Sequence, residues 1–274
     1  MSWRAVAHKD VHDASRSKTI WVLFVLLGLL TVGYAVVHEF LGPEEPTFLT
    51  FLGGLAGLVG TVLPVLALLL GYKSVIEART SGSMFLTLSL PHSRRDVVTG
   101  TVLGRTVVLL APTLAGLVVA GVAGVVLYGT EGALLYPWFM FAVALYGLAF
   151  VGLAVGLSMW TTGDRWVTFG ALGGYLLLVT FWSSLHSLTM LFLHRFDPSV
   201  LGDLPDWSLL FRLLGPGEAF DRLLRAGFDL ELAGRYVAED APLYVDWWMA
   251  LLILAAWCVV PLALGFRRFG AADL

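Results

Sequence analysis

The sequence predicts an all-α polytopic membrane protein with six transmembrane helices, and three observations predict it. Six uncharged stretches, Thr19 to Val37, Pro46 to Tyr72, Thr106 to Thr130, Gly132 to Gly163, Trp166 to Leu193 and Trp247 to Phe266, make up most of the 274 residues. Each can cross a hydrocarbon core of about 30 Å, which takes ~20 apolar residues in a helix. The chain is 58% hydrophobic with a mean hydropathy of +0.83, against roughly 45 to 50% apolar residues in a soluble domain. Finally, the basic residues gather in alternate connections, as short cytoplasmic loops do.

Residues 1–18 precede the first stretch. Trp3, Ala7, Val11 and Ala14 fall along one helical face, with Arg4, Lys9, Asp13, Arg16 and Lys18 mostly elsewhere. This predicts an N-terminal amphipathic elbow helix lying in the headgroup layer; a plain positive anchor fits the same residues. The first apolar run is too long for a signal-peptide core and Gly33-Tyr34-Ala35 is a poor cleavage site, so it reads as a retained helix. Arg4, Lys9, Arg16, Lys18, Lys73, Arg79, Arg94, Arg95, Arg105, Arg165, Arg267 and Arg268 all fall on one side of a six-span layout. The opposite short connections hold Glu39, Glu44, Glu45 and Glu131 and no base. Multi-pass residence in the cell membrane with both termini cytoplasmic is expected.

Between the second and third stretches, residues 73–99 are long, mixed and punctuated where a plain loop would be short and polar. The second helix continues through Glu77 and Arg79 until Thr80-Ser81-Gly82-Ser83, with Gly82 as its stop. Met84-Phe85-Leu86-Thr87-Leu88-Ser89-Leu90 is too short to span and too apolar to leave in water, which implies docking against another surface. Pro91 breaks that run, and Ser93 with Asp96 three positions on resembles a capping box that starts the third long helix. A partner-docking helix and ordinary packing against helix ends both fit.

Residues 194–246 carry five arginines and ten carboxylates. A loop this long translocates regardless of charge, so it is expected outside. Trp207, Leu210, Phe211 and Leu214 are helically spaced, Gly215-Pro216-Gly217 interrupts, and Ala219, Phe220, Leu223, Leu224 and Phe228 resume the pattern. A small helical external loop is expected, with a lipid-binding interfacial hairpin as the alternative.

The run Glu77-Ala78-Arg79-Thr80-Ser81-Gly82-Ser83, followed by a hydrophobic turn, Leu88-Ser89-Leu90-Pro91-His92-Ser93-Arg94-Arg95 and Gly100, resembles the signature of ABC transporter permeases of the type-2 export class. Within that class the chain is similar to the NosY-like branch, abundant in haloarchaea. Trp3-Arg4-Ala5-Val6-Ala7-His8-Lys9-Asp10 resembles the family's elbow helix. Leu214-Gly215-Pro216-Gly217-Glu218-Ala219-Phe220 resembles its external Asn-Pro-x-x-Ala-Phe element, with Gly215 in place of the asparagine. The resemblance spans residues 1–274 as one permease domain. It implies a transmembrane subunit that pairs with a second permease copy and couples ATP hydrolysis by two copies of a separate ABC ATPase to alternating access and export. Residues 73–99 would be the coupling segment, docking through Glu77, Arg79, Gly82, Ser83, Met84, Phe85, Leu88, Pro91 and Arg94. ATP and Mg would sit on the partner ATPase, with no cofactor on this chain.

Other chemistries find little footing. There is no Gly-x-x-x-x-Gly-Lys-Ser/Thr loop, since Gly71-Tyr72-Lys73-Ser74 lacks the earlier glycine and the adjacent Gly-Lys, so the chain is not expected to be an enzyme. An autonomous secondary transporter would carry inverted repeats and mid-membrane ionisable residues, and an intramembrane hydrolase would carry a catalytic constellation. Glu44-Glu45 lies outside the spans between Pro43 and Pro46, and Ser158, Thr161 and Thr162 read as hydroxyls returned to their own helix. His186, Met190 and His194 share one helical face and a donor set suited to copper; interfacial histidines beside a packing methionine are the favoured reading, and no metal is assigned. Cys258 stands alone, so no disulfide framework exists. A net charge of -3 without a polybasic stripe excludes nucleic acid as a partner class. Gly53 to Gly57 and Gly152 to Gly156 are spaced for close helix approach, and the Gly53 to Gly60 face fits either neighbour packing or a dimer contact.

Overall fold

The computed structural model describes residues 3–16, 18–41, 43, 46–76, 93–160, 163–202, 204–228 and 242–271. Among them the regular structure is entirely helical. In chain order the α-helices are α1 (Trp3–Arg16), α2 (Lys18–Leu41), α3 (Phe48–Gly71), α4 (Arg94–Tyr128), α5 (Tyr136–Trp160), α6 (Asp164–Tyr175), α7 (Trp182–Leu193), α8 (Asp206–Leu213), α9 (Pro216–Arg225) and α10 (Trp247–Ala271). Four helices among the described residues, α3, α4, α5 with the 3-10 turn before it, and α10, are long and apolar enough to cross a membrane. The count becomes five if α6 and α7 are taken as one broken span.

Backbone polar groups must find partners inside an apolar medium, and α3 and α4 each begin on a side-chain cap that supplies them. Thr47 and Thr50 form a reciprocal capping box at the start of α3. Ser93 and Asp96 form the one expected at α4: the Asp96 N–H donates to Ser93 Oγ at 3.1 Å, and the Ser93 N–H donates back to Asp96 Oδ2 at 3.1 Å. α4 has 35 residues, hence a length of about 52 Å at 1.5 Å per residue. That exceeds a hydrocarbon core by roughly 20 Å.

The core lies where α3, α4, α5, α9 and α10 meet, around Phe48, Phe51, Leu63, Phe139, Phe150, Phe220 and Leu254, each at most 1% exposed. Its buried phenols donate to main-chain carbonyls, Tyr136 to Leu117 at 2.6 Å and Tyr146 to Gly60 at 3.0 Å. An unpartnered hydroxyl there would cost a kcal/mol or more, on the order of 1 to 3. α5 and α10 touch backbone to backbone. A side chain at Gly152 would meet the Cys258 main chain, one at Gly156 the Pro261 main chain, and one at Gly265 the Gly156 main chain. The Gly152 to Gly156 spacing thus serves as the sequence suggests, with α10 as the neighbour. In α3, by contrast, Gly57 faces open space.

Two features differ from the expected layout. The stretch Trp166 to Leu193 is not straight: Leu176–Thr180 forms a π-helical turn, closed by the Phe181 N–H on the Leu176 carbonyl at 2.8 Å. The chain bends by 67° there, as inserted π turns commonly cause. Beyond the bend α7 is bonded to α8, through Trp182 Nε1 to the Arg212 carbonyl at 2.9 Å and His186 Nε2 to the Ser208 carbonyl at 3.0 Å.

The second difference lies in residues 206–225. They form the expected two helices, with Pro216 at the first turn of α9, but α9 reaches between the long helices. Phe220 stacks on Tyr146 at 4.6 Å, and Trp138 Nε1 donates to the Leu223 carbonyl at 2.8 Å. Gly60 and Tyr146 both sit near the middle of their helices, so α9 is embedded to mid-length of α3 and α5. Two of its charges are paired, Glu218 with Arg212 at 3.3 Å and Arg222 with Asp246 at 2.6 Å. On α8 the inward positions are Ser208, Leu209 and Leu213, while Trp207 and Leu214 are exposed.

Candidate docking region

The end of the bundle where α3 stops and α4 starts also holds α1 and the end of α10. At the α3 exit the Tyr72 N–H reaches the Leu68 carbonyl at 2.9 Å, Ser74 Oγ donates to the Gly71 carbonyl at 2.7 Å, and the Lys73 ammonium lies 5.5 Å from the Tyr72 ring centre. Val75 and Ile76 then turn inward and are buried. Their N–H groups both donate to Ser158 Oγ, at 2.9 and 3.2 Å. Ser158 belongs to the last turn of α5 and is fully buried. Its oxygen therefore serves a neighbouring segment, where the sequence suggested a bond returned to its own helix.

Of the predicted docking residues, Glu77, Arg79, Gly82, Ser83, Met84, Phe85, Leu88 and Pro91 lie outside the described residues. Arg94 is described, and its guanidinium points to the last helix. Nη1 donates to the Phe269 carbonyl at 2.8 Å and the Gly270 carbonyl at 3.0 Å, and the group lies 5.5 Å from the Phe269 ring centre. Carbonyls at a helix C-terminus have no intrahelical donor, and a cation there also meets the negative end of the helix dipole. Arg268 covers the Trp160 ring at 4.6 Å.

α1 is fixed to the first turns of α4. A side chain at Gly100 would meet Val6 and the Trp3 carbonyl, and one at Gly104 would meet Asp10. Arg105 Nη2 pairs with Asp10 Oδ1 at 3.0 Å, both side chains under a quarter exposed. Burial pushes the Asp10 carboxyl above the ordinary carboxylate range, outweighing the opposite pull of Arg105.

A groove of about 330 Å³ opens between α3 and α6, lined by Val65, Leu68, Tyr72, Ala171, Leu172 and Tyr175. Tyr175 Oη reaches the Thr61 carbonyl at 3.4 Å. Each of the two histidines weighed as copper ligands bonds a main-chain carbonyl through one ring nitrogen, His186 Nε2 on Ser208 and His194 Nδ1 on Met190 at 2.9 Å. Met190 is fully buried. Among the described residues no three of His, Cys, Asp and Glu are grouped to hold a metal ion.

The roles of Ser158 and Asp10 were not legible, because each acts on a residue distant in sequence. A serine near the end of an apolar helix, close to a charged connection, is the faint signal available for Ser158.

The family model for ABC-2 family transporter proteins matches residues 4–274. The chain is similar to two proteins called probable ABC transporter permease protein NosY. That of Pseudomonas aeruginosa is 28% identical over 273 residues, covering 96% of this chain and 97% of its own length. That of Stutzerimonas stutzeri is 28% identical over 272 residues, covering 96% of each chain. A helical molecule with four helices, among the described residues, long and apolar enough to cross a membrane, matched by the family model from its fourth residue to its last, belongs to the ABC-2 transporter family as a membrane permease subunit.

Proposed function

We propose that this chain, a single permease domain over residues 1–274, is the transmembrane half of an ATP-driven exporter, working with a second permease copy and two copies of a separate ATPase that holds ATP and Mg. The observation that carries the reading is α4. Its 35 residues overrun a bilayer core by about thirteen to fifteen positions, at the end where α1, the end of α10 and both flanks of residues 77–92 converge. The basic connections counted from the sequence face the same end, which assigns it to the cytoplasm. Six spans follow when the uncharged run of α2 and the bent α6 to α7 pair are added to the four long helices. α1 is then the elbow helix, and α8 with α9 the helical part of the external loop. Residues 73–99 form the coupling segment.

Closure of the ATPases on ATP would displace that segment and tilt the spans between inward-open and outward-open packings. The apolar groove between α3 and α6 would lie on the substrate path. Replacing Glu77 and Arg79 together with alanine is expected to lower permease-dependent stimulation of the ATPase in a reconstituted complex while leaving membrane insertion intact. Wild-type stimulation in that double variant removes the docking assignment.

A further inference from the structure

Residues 77–92 are bracketed by two ties that end on one pair of helices. On the entry side, the N–H groups of Val75 and Ile76 share the hydroxyl oxygen of Ser158 on α5. On the exit side, Arg94 holds the Phe269 and Gly270 carbonyls at the end of α10. The two ties are of different chemistry and lie on different helices, but α5 and α10 are the pair whose backbones touch at Gly152, Gly156 and Gly265. Close packing without intervening side chains leaves little freedom for one to slide on the other. α9 is carried on the same pair, through Trp138 Nε1 on the Leu223 carbonyl and the Tyr146 stack on Phe220. On α10, Trp257 Nε1 donates to the Leu214 carbonyl at 2.8 Å just before α9.

We infer that α5 and α10, with α9 between them, are the body that the docked ATPase moves, and that Ser158 and Arg94 are the two positioning residues that pass displacement of residues 77–92 to it. This rests on the docking reading above and deepens it, since the covalent route from the segment leads only into α3 and α4. A push on the segment would otherwise shift α3 and α4 against a stationary α5 and α10. Charge-assisted bonds to a helix end and a doubly used buried hydroxyl are strong enough to join the bodies, and both can break without chain rearrangement.

The test uses the permease purified with its ATPase in lipid nanodiscs, in a Cys258→Ala background, with spin labels at Gly270→Cys on α10 and Val25→Cys on α2. Both positions accept a side chain, since a Cβ placed at Gly270 would meet nothing within 4 Å and Val25 is exposed. Trapping ATP should change the distance between the labels in the otherwise unaltered permease. In Arg94→Gln with Ser158→Ala, the change should collapse and permease-dependent stimulation of the ATPase should fall by about 5-fold or more, the lower end of coupling between linked sites, with the subunits still eluting together. Arg94→Lys, which keeps a charged donor, should recover part of both. An undiminished distance change and stimulation in the double variant overturns the inference while leaving the docking reading in place. So does a loss of thermal stability that matches the loss of coupling with no recovery by lysine, because that marks plain packing. If the unaltered permease retains no ATPase, the docking reading falls and the inference falls with it.

Discussion

The oxygen of Ser158 accepts from two main-chain N–H groups in an interior that offers neither of them water. Ser158→Ala removes the acceptor without changing the volume much, so two buried donors lose this bond at about 1 to 3 kcal/mol each before relaxation. A fall in thermal stability of the isolated permease is expected, together with faster amide exchange at Val75 and Ile76; unchanged exchange there would show that the bond carries no weight. Asp10 makes a prediction of opposite character. Its carboxyl is held above the ordinary value of 3.8 by burial, with Arg105 opposing, so the folded state binds its proton more tightly than the unfolded one. The stability it contributes is complete below that ordinary value and is lost as pH rises through the raised one. Asp10→Asn cannot titrate, so its melting temperature should gain on wild type over the pH range that opens above that ordinary value. A constant difference across that range would mean that the carboxyl is not perturbed.

At the scale of elements, the close approach of α1 to α4 depends on two positions without side chains, Gly100 and Gly104, one turn apart. Gly100→Leu would drive a branched side chain into Val6 and the Trp3 main chain, and overpacking of this kind costs about 1 to 3 kcal/mol or displaces the element. Protease or labelling access to α1 should rise while the long helices stay folded; an α1 as protected as in wild type would place its anchorage elsewhere. The helices themselves were legible because an uncharged run of bilayer length and a Ser-x-x-Asp start are local signals, and the structure returns α3, α4, α5 and α10 with the Ser93 to Asp96 box intact. The bend after Thr180 was not, since a π turn inside an apolar run leaves the hydrophobic pattern unbroken. Nor was the depth of α9: its alternation of apolar and charged residues fits a surface helix equally well, and it is tertiary contacts such as the stacking of Phe220 on Tyr146 and the bond from Trp138 to the Leu223 carbonyl that seat it among the long helices. In the candidate site, Arg94 was legible as a residue of the region, but its partner was hidden 175 positions away in sequence.

The whole molecule must place its two ends on defined sides of the bilayer, because force from an ATPase can enter only where nucleotide is available. Arg95, exposed in the first turn of α4, and Leu134, 95% exposed in the 3-10 turn between α4 and α5, sit at opposite ends of a helix of about 52 Å. Single cysteines at the two positions, in the Cys258→Ala background, therefore report sidedness with little disturbance of packing. In the proposed orientation Arg95 faces the cytoplasm. A membrane-impermeant maleimide should label Arg95→Cys in inverted vesicles and Leu134→Cys in right-side-out vesicles, with each silent in the other preparation. Reversed labelling would put residues 77–92 outside the cell, where no ATP-driven partner can reach them, and the exporter reading could not stand. Labelling of both from one side would mean that α4 does not cross the membrane. The six-span layout would fail with it, since α4 is the span that joins the docking end to the opposite face.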